Sequence, residues 1–386
     1  MKHFKFLAFL AFVLALLTTS FSVCAAEAPT ITVRKSDALN VAFSGVGGSD
    51  GAAVSKILSN DLNFAGWFSL EPVDKASFVI SGVAAGGMLQ GKVVDRAGGT
   101  VLAKNYSGDA RSMAHHFCND IVETLTGKPG IATSKIAFVS TRSGRKEIYS
   151  ADYDGSNGRQ ITHDNAISVS PSLSADARKL VYTGYQSGYA DIYLIDLATG
   201  ARLHLIKYPG TNSGPRFSPD GTRLVCTMSK DGRPELYVVS MSGGVQRATR
   251  TRGAASCGTW SPNGDEIIYS SDESGSPQLY RTSSSGGSGR LIPTGFGFAT
   301  EPNWSPDGKR VAFNVRSGGA FAVAVLDLGN GSARIVAQGE NPVWGADSRH
   351  LIFSTKNALV LFDTQNGKSI PVISGLGQVT EPTWSR

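Results

Sequence analysis

From residue 135 onward, short apolar runs alternate with turn pairs, and the alternation itself recurs. SPSLSADARKLVYTG (170–184), SGPRFSPDGTRLVCTM (213–228), SCGTWSPNGDEIIYSS (256–271), TEPNWSPDGKRVAFNV (300–315) and ENPVWGADSRHLIFST (340–355) are five versions of one unit. Anchored on Pro171, Pro215, Gly258, Pro302, Pro342 and Pro382, successive units lie 44, 43, 44, 40 and 40 residues apart. The runs are rich in Val, Ile, Tyr and Phe and lack apolar rows at i, i+3, i+4, so they predict strands rather than helices. A unit reads as a first strand carrying Trp or Phe, an SPDG turn, a second strand such as KRVAFNV, a Ser-Gly or Asp-Gly turn, a third strand of the EIY or ELYVV type, and a short fourth strand. In SPDG, Pro presets φ, Asp caps the turn and Gly takes the positive φ. Four antiparallel strands in ~40–45 residues mark a propeller blade.

Two fragments complete the count. KIAFVSTRSGRKEIYSADYDGSNGRQIT (135–162) is a blade without a first strand, and the terminal TEPTW is a first strand without a blade. Lys135 lies 44 residues before Lys179, in register with the repeat. Joined, the fragments give a sixth blade, and pairing the last strand with the first blade closes the ring and removes two open sheet edges. The expected fold is an all-β six-bladed propeller over residues 131–386, closed by the C-terminal strand and preceded by a small α/β domain.

Residues 27–130 do not repeat. GAAVSKILSNDLNFAG reads as an amphipathic helix with Val54, Ile57, Leu58 and Leu62 on one face and a Gly stop. DARSMAHHFCNDIVETLTG reads as a second helix, with Asp109 as N-cap and Gly127 past its end. The stretch between them suggests strands with Gly turns, and KPGIATS (128–134) reads as a linker. Ahead of this domain, residues 1–26 have Lys2 and Lys5, an apolar run from Phe6 to Leu17, and Cys24 and Ala26 at the −3 and −1 places of a cut before Glu27. This is the pattern of a secretory signal peptide. A cut before Cys24 that would lipidate it is disfavoured by the bulky Val23.

Charge adds little. The full chain carries +6, and loss of Lys2 and Lys5 leaves +4, with no basic clustering that would indicate nucleic-acid binding. Cys118, Cys226 and Cys257 are an odd set without CxxC spacing, so small buried side chains are expected rather than metal ligands; a Cys226–Cys257 bridge is the alternative. GGSDG (47–51) matches G-x-S-x-G, but His115 and His116 are the only later histidines of that domain and the sheet is too small for a hydrolase core. It reads as a Gly turn entering a helix. His163, His204 and His350 fall on different blades and read as surface or turn residues, and the SPDG aspartates as turn residues.

The propeller axis is more informative. Ser170, Gly214, Cys257, Glu301, Asn341 and Glu381 should ring the channel mouth, preceded by Val169, Ser213, Ser256, Thr300, Glu340 and Thr380. Glu301, Glu340 and Glu381 come from three consecutive blades and make an acidic, hydroxyl-lined third of the rim. Such a patch could be solvated strand ends, a cation site or a dock for a basic segment; no acid/base pair favours catalysis.

The order of signal peptide, α/β domain ending in ETLTG, KIAFVS entering the ring, W/F-SPDG units and a closing EPTWS strand resembles the TolB family, periplasmic propellers of the Tol–Pal envelope system. The resemblance covers nearly all of the chain after residue 26. It implies a monomeric, non-enzymatic periplasmic adaptor without cofactor or metal, touching membranes only through partners. It also implies binding of the lipoprotein Pal at the propeller rim and of the TolA C-terminal domain by the extreme N-terminus, in support of envelope integrity and constriction at division. The rim candidates are Thr300, Glu301, Glu340, Asn341, Thr380, Glu381, Thr211 and Ser256; those of the N-terminal segment EAPTITVRKS are Glu27, Pro29, Ile31, Val33 and Arg34. Thr211 stands where similar proteins carry His, and Ser256-Cys257 where they carry Thr-Glu. The rival readings are a cation-dependent propeller enzyme and a binding propeller with an unrelated periplasmic partner.

Overall fold

Each blade is built by its turns. The computed structural model describes residues 38–385. In it Gly221, Gly264 and Gly308 take positive φ (68°, 74° and 74°) at the end of the first turn, as SPDG and SPNG require. The turn aspartate closes this turn: Asp220 accepts from the Thr222 amide at 3.1 Å and the Ser218 hydroxyl at 2.5 Å. Ala177 and Ser348 hold the same backbone without glycine (φ 55° each).

Six four-stranded antiparallel sheets follow, and in five of them the strands run in sequence from the inner to the outer edge. The remaining sheet, here blade 1, takes its inner strand Val379–Trp384 from the C-terminal end. That strand pairs antiparallel with Lys135–Ser140 (Thr380↔Val139, Thr383↔Ala137, Trp384↔Ile136), so the ring closes as the fragments predict. Blades 2 to 6 follow in chain order.

Four of the six junctions between adjacent blades are stapled at one level of the inner strands. The side chain two residues after the rim position accepts from the next blade's backbone: Thr383 from Leu173 N (3.2 Å), Ser172 from Phe217 N (3.3 Å), Thr259 from Trp304 N (3.3 Å) and Asn303 from Trp344 N (2.9 Å). These groups are buried or nearly so, where an unpaired amide would be costly.

The α/β region is a five-stranded sheet of β1 (Leu39–Gly47), β2 (Phe68–Leu70), β3 (Phe78–Ala85), β4 (Met88–Asp95) and β5 (Thr100–Ser107), ordered β2-β1-β3-β4-β5. Helices α1 (Gly51–Ala65) and α2 (Ala110–Thr126) cover it. Asp109 accepts from Ser112 N at 2.7 Å as the N-cap of α2, and Gly66 and Gly127 end the helices in left-handed conformation, as expected. The turn at 47–51 does lead into α1.

This region shares one core with blades 1 and 6, where Leu62, Phe117 and Ile121 join Ile136, Tyr153, Ile352 and Trp384. The stretch read as a linker is part of it: Ile131 and Ala132 are buried, and Ser134 accepts from Trp384 Nε1 at 2.6 Å. The contacts fall at one end of the ring. Asp61 of α1 accepts from His115 Nδ1 of α2 and from the Tyr153 hydroxyl of blade 1, each at 2.7 Å. Arg111 bonds Asp154 at 2.9 Å and Asp152 at 3.2 Å, and Arg349 donates to Gly66 O and Asp363 at 2.6 Å each. His350 departs from its surface reading. It is 1% exposed and bonded to Asp347 at 2.6 Å, so this turn aspartate is also a buried acceptor.

Candidate functional site

The end of the ring away from the α/β region carries a feature repeated in every blade. The residue before each anchor is left-handed: Ser170 (φ 51°), Gly214 (61°), Cys257 (54°), Glu301 (52°), Asn341 (55°) and Glu381 (52°). At each, the ladder sets two inner-strand residues against one. In blade 5, Thr300 pairs with Asn314 and Asn303 with Ala312, leaving Glu301-Pro302 opposite Phe313. The same slip occurs in the other five blades. These are β-bulges, devices that re-aim side chains. A left-handed backbone costs a non-glycine residue roughly 1–2 kcal/mol. Proline fits the next place because it has no N–H to leave unpaired.

The bulges bring three of the predicted residues together. Glu301 Oε2 accepts from Asn314 Nδ2 at 2.7 Å and from Asn341 Nδ2. Asn341 Oδ1 accepts from the Glu381 amide at 3.4 Å, and Glu381 Oε2 accepts from the Ser170 amide at 2.6 Å and hydroxyl at 3.2 Å. One chain of hydrogen bonds thus runs from blade 5 through blades 6 and 1 to blade 2. Glu340 precedes Asn341 with its side chain exposed, and Thr300 and Thr380 flank the ring half-buried. Ser256 lies beside Cys257, outside this chain of bonds, its backbone paired with Ser270. Thr211 is not brought to the ring; it is exposed on the approach to blade 3, its amide donating to Ser229 Oγ at 2.8 Å. Glu27, Pro29, Ile31, Val33 and Arg34 lie outside the described residues.

Sequence reasoning missed Arg216. The channel below the ring is lined by Ser172, Arg216, Thr259, Asn303, Val343 and Thr383, equivalent positions of six blades. The signal was available in the aligned repeats: five small or medium side chains and one arginine. Arg216 Nη1 donates to Pro171 O at 2.8 Å across the blade boundary, and Trp260 Nε1 donates to Arg216 O at 3.1 Å. Burial lowers its pKa, while Cys257, Glu381 and Glu301 act to hold its charge.

The charges explain Glu301. Burial first and Glu381 second push its carboxyl up to about 7, against the opposing pull of Arg216. Burial, then Glu301, pushes the Cys257 thiol up to about 11. All three cysteines after residue 37 are free, Cys118 and Cys226 being buried. Among the described residues, no group of three or more His, Cys, Asp or Glu side chains is placed to hold a metal ion.

A pH dependence follows. Glu301 binds its proton more tightly folded than unfolded, so its contribution to stability is greatest below about pH 4.5 and is lost as pH rises to about 7. Glu301→Gln keeps an acceptor oxygen but removes the titration. Relative to wild type, the variant should be unchanged near pH 4.5 and gain about 2–3 kcal/mol at pH 8. Denaturant unfolding at both pH values checks this; an equal difference at both would refute it.

The sequence matches the family model described as TolB beta propeller domain over residues 122–386. It is similar to the Tol-Pal system protein TolB of Desulfosudis oleivorans, 41% identical over 121 residues, covering 28% of this chain and 27% of the relative. To the Geobacter sulfurreducens protein of the same name it is 46% identical over 86 residues, 22% of this chain and 20% of the relative. These alignments span about a quarter of the curated relatives' length. The crystal structure of TolB from Acinetobacter baumannii superposes with a TM-score of 0.79 at 26% identity, covering 90% of this chain and 96% of that one.

Proposed function

Because the chain belongs to the TolB β-propeller family, we propose that it is a non-enzymatic adaptor of the Tol–Pal system, working in the periplasm. In this reading Pal docks on the bulged rim, and Glu27–Ser36 engages the C-terminal domain of TolA. The observation that carries the reading is the hydrogen-bonded chain Glu301–Asn341–Glu381–Ser170, held by four blades at the end of the propeller that the α/β region leaves open. A bulged, cross-linked rim is preorganised, so a partner loses little binding energy to ordering it. The exposed Glu340 carboxylate and the ring carboxylates favour a partner surface with basic groups. No helix among the described residues is long and apolar enough to cross a membrane.

Calorimetry of the chain from Glu27 onward against the periplasmic domain of Pal from the same organism tests the proposal. Glu340→Lys reverses an exposed charge without touching the ring and should weaken binding at least tenfold, about 1.4 kcal/mol. Wild-type affinity in this variant would move the site off the rim. Absence of binding by the wild type would remove the Pal assignment.

A further inference from the structure

The seam between blades 1 and 6 holds a cavity. It has a volume of about 590 Å³ and lies between the outer strands of blades 1 and 6. This is within the range of small-molecule sites, ~300–1,000 Å³. Its floor is apolar, formed by Val372, Ile373 and Leu376 of blade 6 and by the Tyr149 ring, which stacks on Phe138 with centroids 6.1 Å apart. Its rim is cationic. Arg142 and Arg159 both line it, and neither has an ion-pair partner among the described residues. The loop that carries Arg142, TRSGRK (141–146), adds Arg145 and Lys146 and holds no acid.

Two glycines line the space. Gly158 lines it, and a Cβ placed there meets no atom within 4 Å. The backbone at Gly155, by contrast, lies so close to Val372 that no Cβ fits (φ 86°), which fixes how near the two blades come. Two guanidinium groups over an apolar floor are built to pair with an anionic head while covering a hydrocarbon body.

We propose that this seam binds a small organic anion with an apolar body, a carboxylate or phosphate head lying between Arg142 and Arg159. The site is separate from the rim and does not depend on the adaptor reading. The test is fluorescence titration of the full chain with anilinonaphthalene sulfonate. Saturable one-site binding is expected, displaced by decanoate, hardly affected by inorganic phosphate, which lacks the apolar body, and unaffected by decyltrimethylammonium, which carries the wrong charge. Arg142→Glu with Arg159→Glu should weaken it at least tenfold. Gly158→Trp should abolish it by filling the cavity. The arginines are exposed, so the double variant keeps its fold even where the tryptophan variant does not.

Co-sedimentation with phosphatidylglycerol vesicles, lost in the arginine variant, would assign the anion to a lipid headgroup. Displacement by decanoate without co-sedimentation would assign it to a free acid. Equal displacement by the cationic amphiphile, or unchanged binding in the arginine variant, would overturn the proposal.

Discussion

A chain lacking residues 379–386 is expected to lose cooperative unfolding and to associate through its exposed edge. These residues supply the whole inner strand of blade 1, so their removal uncovers the ladder groups of Lys135–Ser140. An open, apolar strand edge is a template for pairing with another chain. The core is breached as well. Trp384 is 5% exposed, bonds Ser134 through Nε1 at 2.6 Å, and packs so tightly on Gly345 of blade 6 that a Cβ there would lie 2.9 Å from its ring. The single change Trp384→Ala should therefore destabilise the fold by about 3–5 kcal/mol, the usual range for removing a buried aromatic. Thermal unfolding and sedimentation velocity measure both variants. A truncated chain that stays monomeric and melts as wild type would show that closure is not needed.

Asp61→Ala should have a comparable effect, about 3–5 kcal/mol, because it breaks a buried network rather than a surface pair. Asp61 is 1% exposed and is the acceptor for two donors from different parts of the molecule, His115 of α2 and Tyr153 of blade 1. Burial first, and the Asp61 charge second, hold the Tyr153 hydroxyl protonated, so it remains a donor. His115 Nε2 already lacks a partner, and losing Asp61 would leave its Nδ1 without one too. The rings cannot separate to reach water: Tyr153 packs edge-on against Phe64 and His115, each at 5.9 Å. Urea unfolding should show a lower midpoint, and a separate early transition if the α/β region detaches. Asp61→Asn, which keeps one acceptor oxygen, should lose less. A loss under about 1 kcal/mol for the alanine variant would place the coupling elsewhere, in the surface-pair range.

The propeller is legible in the sequence because its information is local and repeated. SPDG turns, β-branched runs and the spacing of the anchors each act within a few residues, and six copies average out the ambiguity of one. Even closure could be read, since the fragments at 135–162 and 380–384 lack complementary strands. The helices were legible for the same reason: Asp109, Gly66 and Gly127 act on the turn they adjoin.

The rim was legible only as a list of positions. That these residues stand on bulges, with Ser170, Cys257, Glu301, Asn341 and Glu381 in a conformation they adopt at a cost, follows from how the first two strands of each blade pair. Glu301 reaches Asn341 across 40 residues, and Ser170 reaches Glu381 across 211. Such bonds have no periodic signature. Arg216 was visible in the repeat alignment as an odd residue, but its meaning depends on the low dielectric of a channel that exists only when six blades meet. The same holds for His350, which its turn position assigns to the surface, and for Asp61, whose place on the apolar face of α1 with Ile57 and Leu58 does not say what it bonds. They are buried because the α/β region packs onto blades 1 and 6 and encloses Asp61, and because the turn carrying Asp347 folds over His350. Sequence thus determined the elements, their repeat and their closure, through interactions of short range. Tertiary structure decided which charges lie in low dielectric and which strained residues share one rim, because both depend on distances set by the closed ring.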